Sequence, residues 1–417
     1  MYHLRYGTAS VTFQLPSSVS AKVVTYRDKP VYEEDSSPSV LQRAMKQPIG
    51  SKPLNELAHG KKSAVILISD GSRLAPSHLM LPVLLEELNA GGIPDEAVDV
   101  VIALGLHRKH SLEEIEHLVG SSIYRRVRVH NHSSLSEDCV FVGTTSAGTP
   151  LEINRIVATA PLLIATGNIE PHALVGISGG VKAMVPGTAS HRTIEHNHGL
   201  SLKYKAEPGK SDNPIHRDLE EVLRFVPIHF LLNTIVDIDK NVLEAVAGDV
   251  MEAHRAGVAL ASQRFVVPTE EELYDVVIAS PGGDPKDKQM YQAIKSMKNA
   301  AAFTKPGGTI IIAAQCSEML GNGTLQYWVD TMPSRDWMVR KLKEQFVIGA
   351  HKILHIDELL LQHQVYLYSS LPSYLPELLG LHAVEDLQQT IDTILTPGMK
   401  VGIMPYASLT FAGQVSI

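Results

Sequence analysis

Cysteine is scarce in this chain of 417 residues: Cys139 and Cys316 are the only two, far apart and in no CxxC arrangement. That scarcity excludes a disulfide framework and a thiolate metal centre, and it suits a reducing cytoplasm. Long apolar runs are missing too. The longest, such as IVATAPLLIATG, fall short of the roughly 20 residues needed to cross a bilayer, and the opening MYHLRYGTASVTFQLP has no apolar core of a secretory signal. The formal net charge of −8, with both signs mixed along the chain, argues against a nucleic-acid or anionic-membrane surface. A cytoplasmic protein with small-molecule partners is expected. HExxH, GxSxG and P-loop motifs are all absent, which removes the signatures of zinc proteases, α/β-hydrolases and nucleotide triphosphatases. GISGG at 176–180 has glycines but neither the dinucleotide fingerprint nor its downstream acid. There is no low-complexity segment and no fixed-period repeat.

What is present reads as alternating strands and helices. KSAVILIS at 62–69 is a short apolar run, SHLMLPVLLEELNAGG an amphipathic stretch, and AVDVVIALG a second apolar run. SLEEIEHLVG follows with a capping box from Ser111 to Glu114 and a glycine stop at Gly120. PLLIATG at 161–167 is another buried strand. After RFVVPTEEELYD the pattern restarts with DVVIAS, a glycine turn, a helix through Lys295 and GGTIIIAAQ. The chain is too long for one core of roughly 100–200 residues. Two α/β domains with mostly parallel sheets are predicted, residues 1–266 and 267–417, the last ~20 residues finishing the second or crossing back to the first.

In open parallel sheets ligands gather beyond the carboxyl ends of the strands. The loops at those ends carry Asp70 and Arg73, His107, and His172, with Tyr291, Gln292 and Lys295 in the second domain; Tyr291 and Lys295 are four apart and share a helix face. Taken singly, each has an ordinary explanation: Asp70 as a turn cap, Arg73 as a surface charge, the histidines as loop residues. The stretch GNIEPHALVGISGGVKAMVPGTASHRTIEHNH, residues 167–198, resists that treatment. Lys182 follows a glycine pair and has apolar neighbours Val181, Ala183, Met184 and Val185, a setting that destabilises an ammonium and makes the amine a nucleophile or covalent anchor. His196 and His198 share a side only in an extended segment, so one can bind a metal without the other. His191 and His196 read as structural or supporting residues.

SDGSRLAP, GLHRKH, TTSAGTPLEINRIV, the 167–198 stretch and SPGGDPKDKQMYQAIKSMKNAAAFTKPGGTIIIAAQC together resemble the lactate racemase family, over about residues 60–320 and in the same order. The resemblance implies two α/β domains with the active site between them and a covalently held nickel-pincer nucleotide, loaded by cofactor-biosynthesis proteins. By analogy Lys182 is the covalent attachment point, His198 the protein ligand to nickel, and His107 and His172 the two general bases. Arg73, Tyr291 and Lys295 would hold the substrate, with Asp70 and Gln292 supporting the cofactor. The implied reaction inverts C2 of a 2-hydroxy acid by proton-coupled hydride transfer. Ala173, Ile177 and Lys109 depart from the family pattern, which suggests a substrate larger or more polar than lactate. Two other readings stand beside this one: a zinc-dependent hydrolase or lyase built on His107, His172 and His198, and a non-catalytic cofactor-storage protein.

Overall fold

The computed structural model describes residues 1–27, 36–172, 174–269 and 273–413. The chain divides into two compact units, one formed by Asp28–Gln263 and the other by Met1–Arg27 together with Arg264–Ile417. The expected division at 266/267 therefore differs at the start of the chain, where the first 27 residues join the C-terminal unit.

The Asp28–Gln263 unit is built on a six-stranded sheet in the order Val242–Gly248, Phe230–Val236, Leu163–Asn168, Ala64–Ser69, Val98–Ala103, Arg128–Asn131. Only the Phe230–Val236/Val242–Gly248 pair is antiparallel. Strands Ala64–Ser69 and Leu163–Asn168 are buried almost throughout, which is why both read as continuous apolar runs rather than alternating ones. The helix predicted after the first strand spans Ser77–Ala90, and the next spans Leu112–Val119, with the Ser111–Glu114 capping box formed and Gly120 at its end in a positive-φ conformation.

The other unit holds a second six-stranded sheet, all parallel, in the order His382–Val384, Gln364–Tyr368, Thr304–Ala313, Tyr274–Ala279, Lys400–Met404, Ser20–Val23. Lys400–Met404 lies directly beside Tyr274–Ala279, so the tail completes this unit. One face of the sheet is covered by helix Met290–Ala301 and its neighbours. The other is covered by helix Leu387–Ile394 and the hairpin Tyr2–Tyr6/Ala9–Phe13, through Leu4 and Phe13. The hairpin is also tied by polar bonds: the Gly7 amide donates to Asp287 Oδ2 at 2.7 Å and the Ser280 hydroxyl to the Arg5 carbonyl at 2.6 Å. Without those 27 residues one apolar sheet face would lose much of its cover, which is the physical reason for the shifted boundary. No helix among the described residues is long and apolar enough to cross a membrane.

Candidate functional site

Three of the strand ends singled out in the sequence lie side by side in the Asp28–Gln263 sheet. Asp70 follows Ala64–Ser69 and is buried; its Oδ1 accepts from the Ser72 amide at 2.8 Å, closing a tight turn. Its Oδ2 lies 3.2 Å from His107 Nδ1 and 3.6 Å from Arg73 Nε. Burial works to raise the Asp70 pKa, but His107, then Arg73 and the Ser72 amide, outweigh it and hold the carboxyl well below its ordinary range. As a carboxylate it can only accept, so His107 Nδ1 is the donor and the neutral ring keeps its lone pair on Nε2. His110 supports the same turn, its Nε2 accepting from the Gly71 amide at 3.0 Å; burial lowers its pKa and keeps it neutral for that role.

Lys182 sits in a short 3-10 turn, Gly180–Ala183. Gly179 and Gly180 have φ of 79° and 56°, and a Cβ would fall 2.6 Å from Asn233 Oδ1 at Gly179 and 2.7 Å from the His254 ring at Gly180. Only glycine fits both conformation and space. Asn233 Oδ1 accepts from the Gly180 amide at 2.7 Å, and His254 Nε2 donates to the Ser178 carbonyl at 2.8 Å. Beneath, His254 stacks on His216 with ring centroids 5.7 Å apart and planes 6° from parallel. Burial first, then Lys182 and Arg255, and for His216 also the neighbouring His254, lower these imidazoles to about 4 for His254 and about 3 for His216, so the floor of the turn is uncharged. The Lys182 side chain is half-buried, leaving an approach for a reagent. Its pKa is lowered to about 7 by desolvation and then by Arg73, against an opposing pull from Glu170. Near neutral pH a large share of this amine is therefore uncharged and nucleophilic.

His172 belongs to a two-residue strand paired with Gly176–Ile177. Its Nδ1 accepts from the Leu174 and Val175 amides at 3.2 and 3.4 Å. Of the departures noted in the sequence, Ile177 is fully buried opposite Pro171, Lys109 is exposed, and Ala173 lies outside the described residues. His198 lies near the end of helix His191–Gly199, capped by Ser190. Because the segment is helical, His196 and His198 point apart, and His191 is exposed with Glu195 as a 3.9 Å neighbour.

Tyr291, Gln292 and Lys295 lie on helix Met290–Ala301 of the other unit, all half-buried. The Lys352 ammonium stands 4.9 Å from the Tyr291 ring centroid and His351 meets that ring edge-on at 6.3 Å. Half-buried His355 has its pKa pushed well down by desolvation and then by Lys352, Lys298, His351 and Lys295, so cationic side chains from helices Met290–Ala301 and Lys352–Leu360 gather around it. Sequence reasoning missed Glu170, Asn233, His216 and His254, and in this unit Lys352. Glu170 lay within the quoted stretch, but nothing local marks the others, whose roles come from long-range packing.

Among the described residues no group of three or more His, Cys, Asp or Glu side chains is placed to hold a metal ion. His107, His172 and His198, the three ligands of the zinc alternative, do not form such a group among the described residues. A centre that needs one imidazole from the protein and brings its other ligands on an organic cofactor is compatible with His198 as a single protein ligand and with the lowered pKa of the Lys182 amine.

The lactate racemase N-terminal domain model matches residues 6–209 and the lactate racemase C-terminal domain model residues 269–369. A lactate racemase of Thermoanaerobacterium thermosaccharolyticum is 30% identical over 412 residues, 96% of each chain. One of Lactiplantibacillus plantarum is 34% identical over 315 residues, 75% of this chain and 74% of that one. The apoprotein structure of the former superposes with a TM-score of 0.88 at 30% identity, covering 99% of both chains. A Thermotoga maritima protein, at 21% identity with a TM-score of 0.69 over 86% of this chain and 96% of its own, shares the fold. These likenesses define the class, an isomerase of the racemase type on two α/β units. The chain belongs to the lactate racemase family.

Proposed function

We propose that the protein inverts C2 of a 2-hydroxy acid with a nickel-pincer nucleotide held covalently at Lys182. The observation that carries this reading is the Lys182 amine, brought to about 7 at a bend that only glycine can form. A C2 proton beside a carboxylate is a very poor acid, because its removal builds a second negative charge next to the first. When bound, the cofactor would supply a hydride acceptor, so that no such dianion forms. The protein's part is proton handling and placement. His107 takes the substrate hydroxyl proton at Nε2 while Asp70 holds the Nδ1–H and stabilises the imidazolium that results. Arg73 grips the substrate carboxylate with its guanidinium fork. His172 serves the opposite face of the carbon, Tyr291 and Lys295 contribute substrate contacts, and Gln292 supports the cofactor. His198 is the protein's ligand to nickel.

The cofactor would be loaded by other proteins in the cytoplasm, in keeping with two free, buried cysteines. Intact mass of protein made in a cofactor-supplying host tests the reading: an adduct mapping to Lys182 is expected, and its absence there would refute it. Racemisation in heavy water offers a second check. Deuterium entering C2 as fast as inversion proceeds would mean that the carbon loses a proton instead.

A further inference from the structure

A buried polar cluster lies behind helix His191–Gly199. Asp218, on helix Pro214–Glu220, is buried. Its Oδ1 accepts the Thr145 hydroxyl, and its Oδ2 accepts the Thr149 hydroxyl at 2.7 Å and Asn197 Nδ2 at 2.8 Å. Asn197 Nδ2 also donates to the Ile215 carbonyl at 3.2 Å. Both Asn197 partners of the amide nitrogen are pure acceptors, so the amide cannot be turned over; its oxygen must face the other way, where His198 Nδ1 lies 3.3 Å off. An amide oxygen can only accept. His198 therefore donates from Nδ1. The same logic runs along the other branch: Thr149 spends its one proton on Asp218, so His196 Nδ1, 2.9 Å from the Thr149 oxygen, must be the donor there too.

We propose that Asp218 is a positioning residue that sets the tautomer of His198 through Asn197, and of His196 through Thr149, each ring carrying its proton on Nδ1 and its lone pair on Nε2. Read together with the proposed nickel role of His198, this presents Nε2 as the coordinating atom and restrains the ring's rotation through the Nδ1–H bond to Asn197. His196, on the exposed side of the same helix, is held by the same carboxylate, which makes it an internal reference.

The test uses apoprotein labelled with 15N in histidine, read by long-range proton–nitrogen correlation, with His198→Gln and His196→Gln to assign the rings. In the wild type both rings should show a pyrrole-type Nδ1 and a pyridine-type Nε2. An Nε2–H pattern, or an even mixture, at His198 overturns the proposal, and this readout needs neither cofactor nor activity. In Asp218→Asn both rings should lose the single-tautomer pattern, while Thr149→Val should disturb His196 and leave His198 unchanged. A His198 pattern indifferent to Asp218→Asn also overturns it. If that variant does not fold, the wild-type spectrum and Thr149→Val still decide. In cofactor-loaded protein, Asp218→Asn should release nickel into EDTA about 10-fold faster or more while keeping the mass adduct at Lys182. If the tautomers respond as stated but nickel release does not, the nickel role of His198 is what fails, not the tautomer assignment.

Discussion

His107 and His172 are identical side chains a few residues beyond two strands of one sheet, yet the protein surrounds them in opposite ways. His107 Nδ1 faces a carboxylate that can only accept, whereas His172 Nδ1 faces two backbone amides that can only donate. With Nδ1–H given to Asp70, the first ring presents Nε2 as the atom that can receive a proton. With Nδ1 accepting from those amides, the neutral second ring carries its proton on Nε2, so the proposed base role requires the Leu174 and Val175 amides to give up Nδ1. The two imidazoles proposed as equivalent bases are thus held unequally: the Nδ1 of one is paired with a side-chain carboxylate, and the Nδ1 of the other with backbone amides.

The largest expected effect removes what both imidazoles serve. Lys182→Ala should abolish covalent loading and all measurable racemisation, read by intact mass and chiral chromatography. Asp70→Asn comes next. It takes away the charge that orders His107 and should lower kcat by between about 10² and 10⁴; a loss under about 10-fold would mean His107 needs no backing. His107→Ala and His172→Ala should each stop conversion in both directions, and near-full activity in either would break the pairing altogether. The asymmetry itself predicts a smaller effect. Enantiomers have equal free energy, so kcat/KM must match in the two directions, but single-turnover rates need not. Rapid-quench measurements should find the first turnover several-fold faster from the enantiomer whose hydroxyl meets His107, with the difference removed by Asp70→Asn.

The pH dependence of Lys182 follows from its lowered pKa. Below about 7 the amine is protonated, so acylation of apoprotein at this position should fall about 10-fold per pH unit, and above about 8 it should level off, unlike an ordinary lysine whose reactivity keeps climbing towards 10.5. Mass mapping after brief labelling across pH checks this. The smallest effect concerns Glu170, whose charge opposes the lowering: Glu170→Gln should move the same profile to slightly lower pH.

Much of this was legible in the chain. Apolar runs covered on both faces announce parallel strands wherever they occur, and the capping box at Ser111 depends on residues three apart. The tuned lysine was legible too, because a glycine pair beside a cation with apolar neighbours is a local anomaly. The N-terminal hairpin was misassigned for the complementary reason: TASVTF looks the same whichever sheet it covers, and its destination is set by Leu4 and Phe13 meeting a face formed more than 250 residues later.

The sequence by itself determined the elements, the two α/β units and the residue types gathered at the strand ends, since periodicity, capping and turn chemistry act over a few residues. Tertiary structure alone decided where the protons sit. Whether an imidazole carries hydrogen on Nδ1 or Nε2 depends on which distant acceptor or donor faces it, Asp70 for His107, backbone amides for His172, Asn197 and Asp218 for His198. Those partners meet only once the sheet and its helices have packed.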